Sequence, residues 1–192
     1  MYLALGLIVA AGVYTGWKLT SRSAYESAAY TVIQSQPPFE IREYPDLLMA
    51  TTKTQFSSQG NDGSFMRLFG YISGANEDQQ KVAMTTPVFM DRESAGETGQ
   101  MGFVIPAAVS EAGAPTPSRH DVDLQSRQGG RFAVIRFSGQ LNDINFASGD
   151  ERLREWMTDQ GLTADGETES AGYDPPWTPG PFRRNELLIR LK

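Results

Sequence analysis

Short apolar and polar runs alternate along most of the chain, and their periods change from two to about 3.6 and back. Phe39–Tyr44 and Leu47–Thr54 read as strands, with Pro45-Asp46 turning between them. Gln55–Ser64 is a polar loop in which Asn61, Asp62 or Ser64 is placed to cap a helix. Phe65, Leu68, Phe69 and Ile72 then recur at i, i+3, i+4 and i+7, which predicts a helix with one apolar face, stopped by Gly74. Lys81–Met90 and Gln100–Ile105 read as strands, and the proline- and alanine-rich run 106–119 reads as a linker between halves. In the strand Arg131–Ser138, Phe132, Val134 and Arg136 face one way, while Ala133, Ile135 and Phe137 face the other. Ser148 and Glu151 have capping-box spacing ahead of a second helix with Leu153, Trp156 and Met157 on one face, and Gly161 stops it. Further strands lead to the apolar run Leu187–Leu191. The order strand, loop, helix, glycine, strands occurs twice. The predicted fold is therefore α+β: two βαββ-like repeats whose antiparallel strands curl into a barrel or half-barrel, with two α-helices packed outside.

The first 17 residues break this pattern. Met1–Trp17 has no charged side chain, and Lys18 and Arg22 follow. As a helix the run would span about 25 Å at ~1.5 Å per residue, slightly less than a ~30 Å hydrocarbon core. A signal peptide normally opens with basic residues, and none stands here. The expectation is an uncleaved single-helix membrane anchor (or signal segment) over residues 1–20, a small, polar tether over 21–29, and a folded domain over 30–192. By the positive-inside rule Lys18 and Arg22 favour a cytoplasmic domain over a periplasmic one.

Composition narrows the chemistry. The formal net charge of −6 argues against nucleic acid, which attracts basic patches. The chain has no cysteine, so thiolate ligands, thiol nucleophiles and disulfides are excluded. His120 is the single histidine, and its neighbours Pro117, Ser118, Arg119 and Asp121 describe a solvated loop. A histidine-based zinc site or catalytic triad therefore has no support. The carboxylates Glu40, Glu43, Asp143, Asp150, Glu151, Asp165, Glu167 and Glu169 stand in polar surroundings without the pattern of an acid–base pair. The oligomeric state is not set by the sequence.

The most distinctive stretch is Gly172-Tyr173-Asp174-Pro175-Pro176-Trp177, a proline-rich spacer, and then Arg183-Arg184-Asn185-Glu186 leading into the last strand. Its prolines exclude helix and interior strand, while two large aromatics stiffen and pack the loop. Three more pieces precede it in order: Glu40-Ile41-Arg42-Glu43-Tyr44, Lys81-Val82-Ala83-Met84-Thr85-Thr86-Pro87-Val88, and Phe132-Ala133-Val134 with Arg136-Phe137-Ser138-Gly139. Together they resemble the SOUL/heme-binding protein family over about residues 30–192. The resemblance implies a distorted antiparallel β-barrel with two helices. It also implies non-enzymatic binding or carriage of heme or another tetrapyrrole in an apolar groove.

On that reading Phe65, Met66 and Phe69 line the groove, Arg67 offers a cation for porphyrin carboxylates, and Tyr173 and Trp177 stack on the ring. A plainer reading makes Phe65 and Phe69 core, Met84 core filler, and Arg183 and Arg184 structural ion-pair partners. The resemblance breaks at three positions. Asp62, Gly70 and Thr178 stand where animal members carry basic residues. An alternative function is a ligand-regulated interaction or sequestration module for a planar apolar molecule, because the halves also resemble effector-binding domains of bacterial multidrug-responsive regulators. A tetrapyrrole-modifying enzyme is the third, and the sequence supplies no catalytic group for it.

Overall fold

The computed structural model describes residues 25–56, 62–92, 98–174 and 178–192. The elements are β1 (Glu26–Ser27), β2 (Thr31–Gln36), β3 (Phe39–Tyr44), β4 (Leu47–Thr54), α1 (Ser64–Ile72), β5 (Thr85–Thr86), β6 (Val88–Met90) and β7 (Gly99–Val104). They continue with α2 (Ala107–Ala112), β8 (Asp123–Arg127), β9 (Gly130–Ser138), α3 (Asp143–Asp159), β10 (Ala164–Gly172), a 3-10 turn (Gly180–Phe182) and β11 (Arg184–Leu191). Nine strands form one antiparallel sheet in the order β2-β3-β9-β11-β10-β6-β7-β4-β8, and β1 pairs in parallel with β5.

The order shows how the chain builds the sheet. β4, α1, β6 and β7 form one half, with β7 between β4 and β6. β9, α3, β10 and β11 form the other, with β11 between β9 and β10. The halves join along β6 and β10. The strand leading into each half crosses over: β3 precedes β4 but pairs with β9, and β8 precedes β9 but pairs with β4. Only Pro45-Asp46 separates β3 from β4, and only Gln128-Gly129 separates β8 from β9. Such short links require the two ends of the sheet to approach each other. At Gly129 they touch. A Cβ there would lie 2.5 Å from the Tyr44 carbonyl oxygen and 2.5 Å from the Pro45 carbonyl carbon, so only glycine fits.

The sheet thus curls strongly, but it is not the closed barrel expected from the sequence. The two ends meet through these links rather than along a hydrogen-bonded ladder, and β2 and β8 remain edges. Three helices are present among the described residues rather than two, because α2 forms within the predicted linker. The predicted strand over 81–90 is shorter in the structure. Only 85–86 and 88–90 pair, and Pro87, which has no N–H to donate, separates them. The second helix begins at Asp143, well before the Ser148 expected to cap it. Asn142 is the cap, its side chain accepting from the Asn145 N–H at 2.9 Å. Phe146 and Gly149 extend the buried stripe of Leu153, Trp156 and Met157 by two turns, which explains the earlier start. β1 lies within the stretch expected to be a tether.

Membrane attachment also needs correction. Among the described residues no helix is long and apolar enough to cross a membrane. No single-helix anchor is shown, and residues 1–17, on which that expectation rested, lie outside the described residues.

The alternation predicted for β9 sorts its residues between two cores. Ala133 and Ile135 pack under α3 with Leu153, Trp156 and Leu187. Phe132 and Val134 pack inside the curl with Tyr44, Met49, Phe89 and Leu188. A third core, around Leu68, Tyr71, Ile72 and Phe103, lies under α1.

One ion cluster is set into the inner core. Arg42 and Glu186 both have fully buried side chains. Arg42 donates to both Glu186 oxygens, at 2.7 and 3.0 Å. The same carboxylate accepts from Tyr173 Oη at 2.8 Å, from Arg184 at 2.6 Å and from Arg136 at 3.2 Å. Arg42 also donates to Tyr44 Oη at 3.1 Å. Burial alone would raise the Glu186 pKa. Hydrogen bonds and charge from Arg42, and then from Arg184, outweigh it and hold the group at about 2. Burial raises Tyr44 to about 12 against the pull of Arg42.

Two consequences can be measured by melting across pH. Glu186 binds its proton more weakly folded than unfolded, so its contribution is complete above about pH 5 and is lost as pH falls toward 2. Tyr44 acts in the opposite sense, withdrawing stability as pH rises from about 10 toward 12. Glu186→Gln leaves the buried Arg42 with Glu40, at 2.7 Å, as its remaining ion-pair partner and should cost up to about 3–5 kcal/mol at pH 7. The variant should also lose part of the acid limb between pH 5 and 2. A variant whose melting curve matches the parent over pH 2–7 would show that the cluster carries no such weight.

Candidate functional site

A cavity of about 340 Å³ lies where α1 meets the β6–β10 seam. Helix α1 contributes Phe65, Met66 and Phe69. The sequence placed Phe65 and Phe69 on the buried face, but the residues driven fully inside are Leu68, Tyr71 and Ile72. That rotation leaves Phe69 44% and Met66 63% exposed, with the Phe65 and Phe69 rings stacked at 6.2 Å. Phe65 is half-buried and meets Phe103 edge-on. A large aromatic and a methionine in contact with water on one helix flank form a surface suited to an apolar ligand.

The second wall comes from Met84, Thr86 and Val88. They come from the residue before β5, the end of β5 and the start of β6. Ala28 N–H donates to the Thr86 carbonyl at 2.7 Å, which draws the start of the described chain, including Tyr25, to the rim. The third wall is the end of β10: Gly172, Tyr173 and Asp174. A Cβ at Gly172 would meet nothing within 4 Å, so the missing side chain leaves space beside the cavity. Tyr173 is tied behind the wall by its hydroxyl to Glu186, and the Arg184 guanidinium lies 3.9 Å from its ring centroid. Asp174 Oδ2 accepts the Arg184 N–H at 2.6 Å.

The structure therefore brings together Phe65, Met66, Phe69 and Tyr173. It separates Arg67 from them. Two residues along a helix is about 200° of rotation, so Arg67 points away from Phe65 and Phe69. It donates to Thr52 Oγ1 at 2.9 Å, to the Lys53 carbonyl at 2.6 Å and to the Asp62 carbonyl at 3.3 Å. Trp177 lies outside the described residues. Tyr25, Thr86, Val88, Gly172 and Asp174 were not expected at the site. Met84, Thr86 and Val88 lie within the motif 81–88, which was the available signal, while nothing local marks Tyr25.

The cavity fits one part of a porphyrin better than another. Its aromatic, methionine and valine walls suit the flat ring. Its volume is at the low end for ligand pockets, so a ring would be sandwiched on one edge and bare on the other. Among the described residues no lysine, arginine or histidine lines it. Among the lining residues Met66, Met84, Tyr25 and Tyr173 are of a kind that ligates heme iron, and the Tyr173 hydroxyl is already bonded to Glu186. His120 is exposed in the turn before β8 and is not among the lining residues.

A larger crevice of about 610 Å³ is ringed by Asp91, Asp150, Glu167 and Glu169, with Arg92 and Arg154. Asp91 is exposed as a residue, yet desolvation at its carboxyl, with Glu169 nearby, raises it to about 6. Such a lining is hostile to an apolar ring. Among the described residues no group of histidine, aspartate and glutamate could hold a metal ion.

Known proteins share both sequence and fold with this chain. Heme-binding protein 1 of Xenopus tropicalis is 25% identical over 155 residues, covering 78% of this chain and 81% of the relative. Heme-binding protein 1 of Xenopus laevis matches at 25% over 156 residues, with the same coverage. Among solved structures, a protein described as a hydrolase from Listeria innocua superposes with a TM-score of 0.59 at 10% identity, covering 83% of this chain and 94% of that one. The EcmrR C-terminal domain gives 0.55 at 13% identity, covering 85% and 98%. At such identities these two likenesses concern the fold alone. The family model described as SOUL heme-binding protein matches residues 25–190, and the chain belongs to that family.

Proposed function

We propose that this protein binds heme or another tetrapyrrole along the groove between α1 and the β6–β10 seam, and carries it without altering it. The observation supporting this most directly is the pairing of exposed Phe69 and Met66 with Met84 and Tyr173 around an apolar cavity, in a chain of a heme-binding family. One face of the ring lies against α1 and the other against the wall formed by 84–88 and 172–174. Carriage rather than catalysis is favoured by the lining. Among the described residues it offers one carboxylate, Asp174, and no histidine or lysine to act as base or nucleophile. The fold shared with a protein described as a hydrolase, at 10% identity, carries no argument about activity.

Hemin titration of the purified protein, followed at the Soret band, tests the reading. Met66→Glu puts a charge on the exposed flank. Burial of a methionine is worth about 1.5–3 kcal/mol, so affinity should fall about tenfold or more while the melting temperature holds. Phe69→Ala should weaken binding similarly, at a stability cost below the ~3–5 kcal/mol of a core phenylalanine, because its ring is partly in water. Unchanged affinity in both variants would place the ligand elsewhere. Separately, His120→Ala should leave the affinity and the Soret spectrum as they were, since His120 is exposed and is not among the lining residues. A lost low-spin band in that variant would make it an iron ligand.

A further inference from the structure

We infer that the inner face of the curled sheet holds a second site, for a small amine bearing a carbonyl oxygen, with Arg127 binding the oxygen and Asp91 the ammonium. A cavity of about 180 Å³ lies there across five neighbouring strands, β10, β6, β7, β4 and β8. No described residue lines both this cavity and the groove. Met49 and Phe89 belong to the inner core, and alternation turns Thr51 and Asp91, two residues further on, to the same side. The Asp91 N–H continues the β6–β7 ladder by donating to the Gln100 carbonyl at 2.8 Å. Pockets for drug-sized ligands start at about 300 Å³, so the occupant here is nearer the size of an amino acid.

Arg127 is built into the wall. Its side chain is 10% exposed. Its guanidinium lies 4.6 Å from the Phe89 ring centroid and 4.3 Å from that of Phe132. Nε and Nη2 donate to one oxygen of Glu169, at 2.9 and 2.6 Å. Nη1 is buried and has no hydrogen-bond partner among the described residues. A buried charged donor left unpaired is costly, and an oxygen in the cavity would satisfy it. Asp91 supplies the complement. Burial, with the Glu169 charge, raises its carboxyl to about 6, and the Arg127 charge offsets this only in part. Arg92 adjoins it, and Asp150, Arg154 and Glu167 ring the crevice beyond. A positive group beside Asp91 would favour its charged form. An amine with a nearby carbonyl answers both needs at once.

The test titrates glycinamide, acetamide and ethylamine into the purified full chain at pH 7, followed by backbone amide shifts in NMR spectra. Glycinamide has both groups, acetamide lacks the ammonium, and ethylamine lacks the oxygen. Glycinamide should move the amides of β6 and β8 saturably, binding about tenfold tighter than either control. Protonation of Asp91 competes with the ammonium, so glycinamide affinity should fall about tenfold from pH 7 to pH 5. Asp91→Asn should bind glycinamide about tenfold more weakly at pH 7 and lose the pH dependence. Its melting temperature should hold or rise, because burial disfavours the charge it removes. Saturation by none of the three compounds would leave a water-filled cavity and overturn the inference. Ethylamine binding as tightly as glycinamide would overturn it too, by removing Arg127 from the site. So would glycinamide binding untouched by Asp91→Asn.

Discussion

The carboxylate of Glu186 is the point on which this structure is pinned. It sits fully buried on β11, the central strand of its half, and accepts hydrogen bonds from side chains on three other segments: Arg42 on β3, Arg136 on β9 and Tyr173 after β10. An uncompensated charge there would be costly, so each partner is fixed by the need to satisfy it. Tyr173 is the partner that matters outside the core. Its hydroxyl belongs to the cluster and its ring to the groove wall. The wall is therefore as rigid as the ion cluster behind it. Arg184 works in both places too, with its guanidinium on Glu186 and its backbone N–H on Asp174.

This arrangement accounts for what the C-terminal motif encodes. Tyr173, Asp174, Arg184 and Glu186 looked like a stiff aromatic loop followed by a charged pair and a strand. Each is one contact in a single connected set. The plainer reading of Arg184, as a structural ion-pair partner, agrees with its geometry. An arginine doublet after a proline-rich loop looks identical on paper whether it faces a ligand or a buried carboxylate. What decides it is Glu186 two residues on, whose side chain enters the same face of the strand as Arg184.

Much of the architecture was legible in periodicity. The two faces of β9 were readable from Phe132 to Phe137, and both long helices were visible from their spacing of apolar residues. Closure was not, because it depends on which strand pairs with which, and hydrophobic alternation does not record partners. The helix face was misjudged at Phe69, while Phe65 is half-buried against the core under α1. Hydrophobicity ranks phenylalanine above tyrosine, yet Tyr71 goes inside because its hydroxyl finds the Pro115 carbonyl at 2.8 Å. The phenylalanines need no polar partner and are left on the flank, where they line the cavity. Arg67 was grouped with them by adjacency in sequence, and rotation about the helix axis separates it.

The exchange of leading strands between the halves reaches beyond architecture into how the chain reaches its native state. β3 is completed by β9, 86 to 96 positions away along the chain, and β4 by β8, 72 to 80 positions away. Neither half, made first on a ribosome, has its own full set of neighbours. The early half must wait with β4 exposed on one edge until β8 emerges, and β3 must wait for β9. Most of the ladder is thus non-local, the topology that slows folding and prolongs the life of unpaired edges. Lys53 and the threonines of β4 are polar residues on the waiting strand, a modest guard against a foreign strand arriving before its own.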